Sequence, residues 1–231
     1  MKIYKDVIQG SDEWHALRHG RITMSHAKEL LTGGKGKTRE SYLMTVAAER
    51  LSTYQADSYY NDDMLRGNEL ESFALECFRS AYPKSKIETV GFVLHDDERI
   101  GCSPDALTKH GGIEVKCPKP ETHLKYLNRS YVESAHGPQM QGGLWICQRE
   151  TWHFISFCPW VKSNPVIIHT FCRDEETIAR LEESSISGAD YIDKIVMEME
   201  KERPIKSVSD IAEMAIEHWD SIMAMKDEVT L

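Results

Sequence analysis

Three side chains in the stretch Gly101 to Pro118, GCSPDALTKHGGIEVKCP, have the types and spacing for metal-assisted cleavage of a phosphodiester. Asp105 stands ahead of the triplet Glu114-Val115-Lys116. If Ile113 to Cys117 is a strand, side chains two apart share a face, so Glu114 and Lys116 point together and Val115 turns into the sheet. Asp105 and Glu114 are hard oxygen ligands suited to Mg²⁺, which keeps waters and takes one or two carboxylates plus substrate phosphates. Lys116 can orient or help deprotonate a water, and its charge can offset that of a pentavalent transition state. A solvated hairpin with inert charges would carry the same string, which average usage of charged residues produces about once in a chain this long. The setting favours the site. Ser103-Pro104 fixes the backbone before Asp105, His110-Gly111-Gly112 reads as a tight turn, and apolar residues alternate with the acid and lysine. All three polar groups are expected to be partly exposed in a cleft.

The elements that must hold this hairpin can be read from periodicity and punctuation. Ser11-Asp12 opens a short helix to Arg18, stopping near Gly20, and Ser25 reads as the N-cap of a second helix ending at Gly33-Gly34. A third runs from about Arg39 to Leu51 with Leu43, Val46, Ala47 and Leu51 on one face. A fourth, from about Asp63 to Ala81, places Leu70, Phe73, Ala74, Cys77, Phe78 and Ala81 at helical spacing and stops before Pro83. On it Glu71 shares a stripe with Ala74, Leu75 and Phe78, whereas Glu69 and Glu76 fall on the far side. An acid at an apolar edge reaches either to water or to a partner such as a metal at the hairpin. Strands follow near Lys86 to His95, Arg99 to Pro104 and Gly112 to Cys117, then helices around Pro120 to Asn128 and Pro138 to Cys147, which Gly142-Gly143 should loosen. Thr151 to Cys158 and Pro165 to Phe171 read as strands. A long helix begins near Asp174, and Pro204 separates it from a helical tail at about Ser209 to Met225.

The chain has 231 residues, enough for one large α/β domain, and 28 basic against 37 acidic residues, a net charge of −9. That balance argues against a wholly basic nucleic-acid binder but leaves room for a local basic track, for which Lys35-Gly36-Lys37-Thr38-Arg39 is one candidate; solvated loop charges are the other reading. No long apolar run suggests a membrane span, and the N-terminus lacks the apolar core of a secretory signal, so a cytoplasmic protein is expected. The six cysteines, at 77, 102, 117, 147, 158 and 172, form no Cys-x-x-Cys pair and read as reduced and mostly buried.

Five ordered blocks between about Trp14 and Trp152 resemble the phage lambda exonuclease group of YqaJ-type viral recombinases, within the PD-(D/E)xK nuclease superfamily. They are Glu13-Trp14-His15-Ala16-Leu17-Arg18 with Gly20-Arg21-Ile22-Thr23-Met24-Ser25; Arg66-Gly67 with Glu71; Ser103-Pro104-Asp105; Glu114-Val115-Lys116-Cys117-Pro118; and Gln139-Met140-Gln141 with Trp145. The resemblance implies a restriction-endonuclease-like α/β fold, a central mixed β-sheet flanked by helices, as a single domain over 1–231 with a helical tail from about 204. It implies metal ligation by Asp105, Glu114 and the Val115 carbonyl, a catalytic Lys116, a site completed by Glu71 and Gln139, and a 5′-phosphate pocket of Arg18, Ser25 and Ser103. For Ser25 an N-cap remains a compatible reading. Met64 falls where the family carries an apolar wedge in the duplex end. The activity implied is 5′→3′ removal of mononucleotides from one strand of linear double-stranded DNA, leaving 3′ overhangs for phage-type recombination. It would use Mg²⁺, replaceable by Mn²⁺, with two ions per site, in a homotrimer encoded by a phage or prophage that works with a single-strand annealing protein. A catalytically silent DNA-end-binding protein and an iron–sulfur relative are the alternatives.

Overall fold

The computed structural model describes residues 1–32, 37–52, 62–201 and 206–229. A short strand, β1 (Lys2–Tyr4), precedes α1 (Asp12–Arg18), whose N-cap is Ser11: its hydroxyl accepts from the Trp14 N–H at 3.3 Å. The chain turns at Gly20, where φ is +67°, a left-handed conformation that only glycine takes up freely. There follow β2 (Ile22–Thr23), a single 3₁₀ turn over Met24–His26, α2 (Ala27–Leu31), α3 (Lys37–Leu51) and α4 (Asp62–Ala81). Next come β3 (Ile87–Glu88), β4 (Phe92–Leu94), β5 (Ile100–Cys102), β6 (Ala106–Thr108) and β7 (Gly111–Lys116), then α5 (Pro120–Lys125) and α6 (Arg129–Ile146). The last elements are β8 (Thr151–Phe157), β9 (Val166–Cys172), α7 (Glu175–Lys201) and α8 (Lys206–Val229).

The strands make two mixed sheets. The larger, in the order β3-β6-β7-β8-β9, is antiparallel except where β7 runs parallel to β8, with Glu114 opposite Phe154 and Lys116 opposite Ser156. Helices α5 and α6 supply the long crossover that a parallel pair requires. The smaller sheet, β1-β4-β5-β2, delivers Cys102 and hence Ser103 beside the 3₁₀ turn. On one side of the larger sheet Ala106, Ile113, Val115, Cys117, Ile155 and Phe157 pack against Ala74, Leu75 and Phe78 of α4. Each of the valine, leucine, isoleucine and phenylalanine side chains contributes about 1.5–3 kcal/mol by leaving water, and the alanines less. A one-residue slip of β7 would push Glu114 into that seam, so the apolar contact with α4 fixes the register that presents Glu114 and Lys116 on the other face.

Several elements depart from expectation. The segment Lys86 to His95 is two strands in different sheets, broken at Gly91, where an added Cβ would lie 2.2 Å from the Val7 carbonyl oxygen. Gly111 and Gly112 belong to β7 rather than to the turn; a Cβ on Gly112 would strike the Trp152 ring at 2.2 Å. Ser25 is not an N-cap, since it sits inside the 3₁₀ turn and α2 starts without a side-chain cap. Helix α6 begins nine residues before Pro138 and carries that proline inside it. Gly142 and Gly143 do not loosen it: both are buried, facing Met24 and Trp152, where a Cβ would come within 2.4 Å of each. Leu51 and Phe73 lie exposed, off the core.

Contacts divide the chain into two units, Met1–Asp193 and Lys194–Leu231. The first holds both sheets; the second is the end of α7 and α8. No helix among the described residues is long and apolar enough to cross a membrane. Gly33-Gly34, Lys35-Gly36 and Pro204 fall outside the described residues.

Candidate active site

The hairpin brings Asp105, Glu114 and Lys116 together as its alternation requires. Asp105 leaves β5 through Pro104 and meets β7 edge-on, with its own N–H donating to the Ile113 carbonyl at 3.1 Å and its Oδ2 accepting from the Val115 N–H at 2.5 Å. The contact described for Val115 toward Asp105 is therefore its N–H, while its side chain is buried in the core. Glu114 is only 3 % exposed, a buried acid rather than a partly exposed one. Its Oε1 accepts from Lys116 Nζ at 2.6 Å and from Gln139 Nε2 at 2.7 Å. Gln139 reaches it from α6, and Glu71 approaches from α4.

Three carboxylates near one another in a half-dry site repel. Burial, then the charges of Glu114 and Glu71, holds the Asp105 carboxyl well above the usual range, opposed in part by Lys116. Burial and Glu114 raise Glu71 in the same way. For Lys116 burial alone would favour the neutral amine, but the charges of Glu114 and Asp105 outweigh it and hold the ammonium above its ordinary value. Lys116 is thus a fixed cation. Among the described residues no three His, Cys, Asp or Glu side chains are grouped to enclose a metal. The donor set is a pair of carboxylates with a third nearby, which suits an ion that keeps most of its waters and does not suit a closed zinc or iron–sulfur site. All six cysteines are free.

A second cluster lies alongside. Arg18, at the end of α1, donates through one terminal nitrogen to Ser103 Oγ at 3.0 Å and through the other to Ser25 Oγ at 3.4 Å and Thr23 Oγ1 at 3.5 Å. Its guanidinium stacks 4.3 Å above the Trp14 ring, whose Nε1 donates to Ser103 Oγ at 3.1 Å and to the Gly91 carbonyl at 3.0 Å. Burial lowers the Arg18 pKa, opposed in part by nearby acidic groups that include Glu49, though no carboxylate among the described residues forms a contact ion pair with it. A desolvated cation surrounded by hydroxyls is a receptor for an anion. A small void of about 10 Å³ lies among Ser25, Ser103, Glu114 and Gln139. A larger cavity of about 1280 Å³ includes Trp14, Arg18, Tyr42, Glu71 and Asp105 in its lining.

The structure also shows partners that the motifs alone did not disclose. Tyr42 on α3 accepts the Thr23 N–H at 2.9 Å, and burial pushes its hydroxyl up to about 12; a tyrosine next to the apolar stripe of α3 was the available signal. Gln141, the second glutamine of its block, is structural: it donates to the Cys172 carbonyl and accepts from the Asp174 N–H, both at 2.9 Å. Met64 lies in the first turn of α4, with its side chain outside the described residues.

Residues 13–150 match the YqaJ-like viral recombinase domain. Among solved structures, the alkaline exonuclease LHK-Exo of Laribacter hongkongensis aligns with a TM-score of 0.76 at 25 % identity, covering 83 % of this chain and 97 % of that one. Its complex with dAMP gives the same TM-score and coverage at 26 % identity. A phage related exonuclease from Haemophilus somnus 129PT shares the fold, with a TM-score of 0.65 at 19 % identity over 80 % of this chain and 99 % of that one. No curated protein matches the sequence. The fold is the α/β, restriction-endonuclease-like one of the alkaline exonuclease. The matched span contains Arg18, Asp105, Glu114, Lys116 and Gln139, and by that match the chain belongs to the family of YqaJ-like viral recombinase domains.

Proposed function

We propose that the chain is a Mg²⁺-dependent 5′→3′ exonuclease that removes mononucleotides from one strand of linear duplex DNA, leaving 3′ overhangs for recombination. Family membership and the exonuclease neighbours, one of them holding dAMP, support a nuclease acting on DNA. The polarity rests on one observation. Ser103 Oγ accepts from both Trp14 and Arg18, which fills its acceptor sites and leaves its own proton to be given elsewhere. A terminal phosphate oxygen is a fitting acceptor, and the large cavity beside it is lined by both Arg18 and Asp105.

Asp105 and Glu114 would hold the Mg²⁺, for which Mn²⁺ would substitute, and Glu71 would be the further carboxylate available to a second ion. When bound, such an ion lowers the pKa of a water and polarises the scissile phosphoryl group. Lys116, protonated and anchored on Glu114, offsets charge that builds on the phosphoryl oxygens rather than acting as a base. Gln139 holds the Glu114 carboxylate in place from the opposite wall. The enzyme works as a homotrimer with a single-strand annealing protein as partner, in the cytoplasm of a bacterial host.

Linear duplex carrying a 5′-³²P label on one sample and a 3′ label on another tests the reading. With Mg²⁺ the 5′ label should become acid-soluble first, as a mononucleotide, and Asp105→Ala or Lys116→Ala should stop release. Earlier release of the 3′ label would reverse the polarity; wild-type rates in either variant would remove the site.

A further inference from the structure

The corner between α5 and α6 carries an exposed apolar group that the nuclease site does not use. Leu124 is 53 % exposed, Leu127 55 %, Tyr131 41 % and Trp160, in the β8–β9 connection, 58 %. These residues are held rigidly. His123, wholly buried on α5, bonds through Nδ1 to Ser156 Oγ at 2.7 Å and through Nε2 to the Asn164 carbonyl at 2.9 Å, pinning α5 to the connection that bears Trp160. His169 Nε2 donates to the Tyr126 carbonyl at 2.7 Å, and the Arg129 guanidinium lies 4.2 Å over the Phe171 ring, seating the corner on β9, the edge strand of the larger sheet. The turn itself is closed by Val161 N–H to the Cys158 carbonyl and Asn164 N–H to the Val161 carbonyl, each at 3.1 Å. A preorganised surface that presents several large apolar side chains marks a contact site.

Charge identifies what it would contact. Residues 119–131 and 158–165 hold four cations, Lys119, Lys125, Arg129 and Lys162, against the single acid Glu121, in a chain whose net charge is −9. We propose that the α5–α6 corner and the Trp160 turn form a docking surface for an acidic, amphipathic segment of another protein, whose apolar side chains would cover Trp160 and Leu124 while its carboxylates meet the surrounding lysines and Arg129. Nucleic acid would satisfy the cations and could stack on Trp160 or Tyr131, but it would leave Leu124 and Leu127 uncovered, which an amphipathic segment would not. A second copy of this chain, itself acidic overall, is the alternative occupant that mass in solution decides.

The test uses the full chain and three probes: a synthetic helical peptide of about 20 residues with leucines at i, i+3, i+4 and i+7 and glutamates elsewhere, its lysine counterpart, and an oligothymidylate of about 20 nucleotides. Fluorescence anisotropy should show the glutamate peptide binding, and Trp160→Ala and Leu124→Ser should each weaken it roughly tenfold to thirtyfold, as expected for anchor residues. Circular dichroism and nuclease activity should be unchanged in both variants, which separates this surface from the active site. Equal binding of the lysine peptide, or no binding of the glutamate peptide, would overturn the proposal. So would loss of oligothymidylate binding in both variants, which would make the surface a nucleic-acid track, or a fall in mass by light scattering, which would make it a subunit interface.

Discussion

Asp105 and Glu71 both titrate above their ordinary range because burial and neighbouring acids oppose their charge. The folded protein therefore binds protons that the unfolded chain has released. Their contribution to stability is present below the unfolded carboxylate value and is lost as pH rises toward the raised folded one. Asp105→Asn should accordingly raise Tm in metal-free buffer at neutral pH, by about 2–4 °C for each kcal/mol of repulsion relieved in a chain of this size. The gain should vanish near pH 4, and Mg²⁺ should stabilise wild type but not the variant; scanning calorimetry at two pH values with and without the ion decides it. At Arg18 the expected loss is of charge-assisted hydrogen bonds to a phosphate, roughly 1.5–3 kcal/mol. Arg18→Ala should slow degradation of 5′-phosphorylated duplex roughly tenfold to a hundredfold and leave hydroxyl-ended duplex nearly unaffected. A rate lost equally on both ends would place Arg18 outside any terminal-phosphate pocket.

Helix α6 and strand β7 approach closely because glycines face the Trp152 ring from both. Gly143→Ala should cost about 1–3 kcal/mol, the usual penalty for overpacking, since the added methyl meets a ring fixed in the core. Gly67 of α4 is the contrast: nothing lies within 4 Å of an added Cβ, so Gly67→Ala should stabilise by about 0.5–1 kcal/mol in urea unfolding. If Gly67→Ala folds better yet cuts poorly, that open space is used by substrate. The same glycines show what could be read in the chain and what could not. The β7 alternation and the Glu71 stripe of α4 were legible because period alone reports which side faces the core. The missing side chain of Gly111-Gly112 or Gly142-Gly143 has two meanings, a turn or a close approach, and only Trp152, distant in the chain, decides between them. Likewise the hydroxyl of Ser25 fits a cap or a ligand, and α6 hid its first half because Pro138 suits a helix start better than a helix interior. The two-residue strands β2 and β3 are too short for any period to appear.

Net charge of −9 sets the problem of holding a polyanion, since phosphate contacts supply most non-specific affinity. A closed trimer would place three local basic tracks on one channel. Light scattering is therefore expected to give three chains per particle, with runs of digestion that shorten as salt rises; a monomer that releases DNA every few nucleotides would refute it. A different consequence follows from the way Gly20 is held. Its N–H donates to Glu49 at 2.9 Å and its carbonyl accepts from Arg50 Nε at 2.6 Å; Arg50 in turn pairs with Asp193, which also pairs with Arg99. The turn that follows Arg18 is thus braced from α7, more than 170 positions along the chain. Contacts so far apart in sequence close late. In refolding from urea, tryptophan fluorescence should recover first and cutting of 5′-phosphorylated ends only afterwards. On a ribosome the same order would leave the Arg18 cluster unassembled until α7 has been made, a safeguard in time rather than in chemistry.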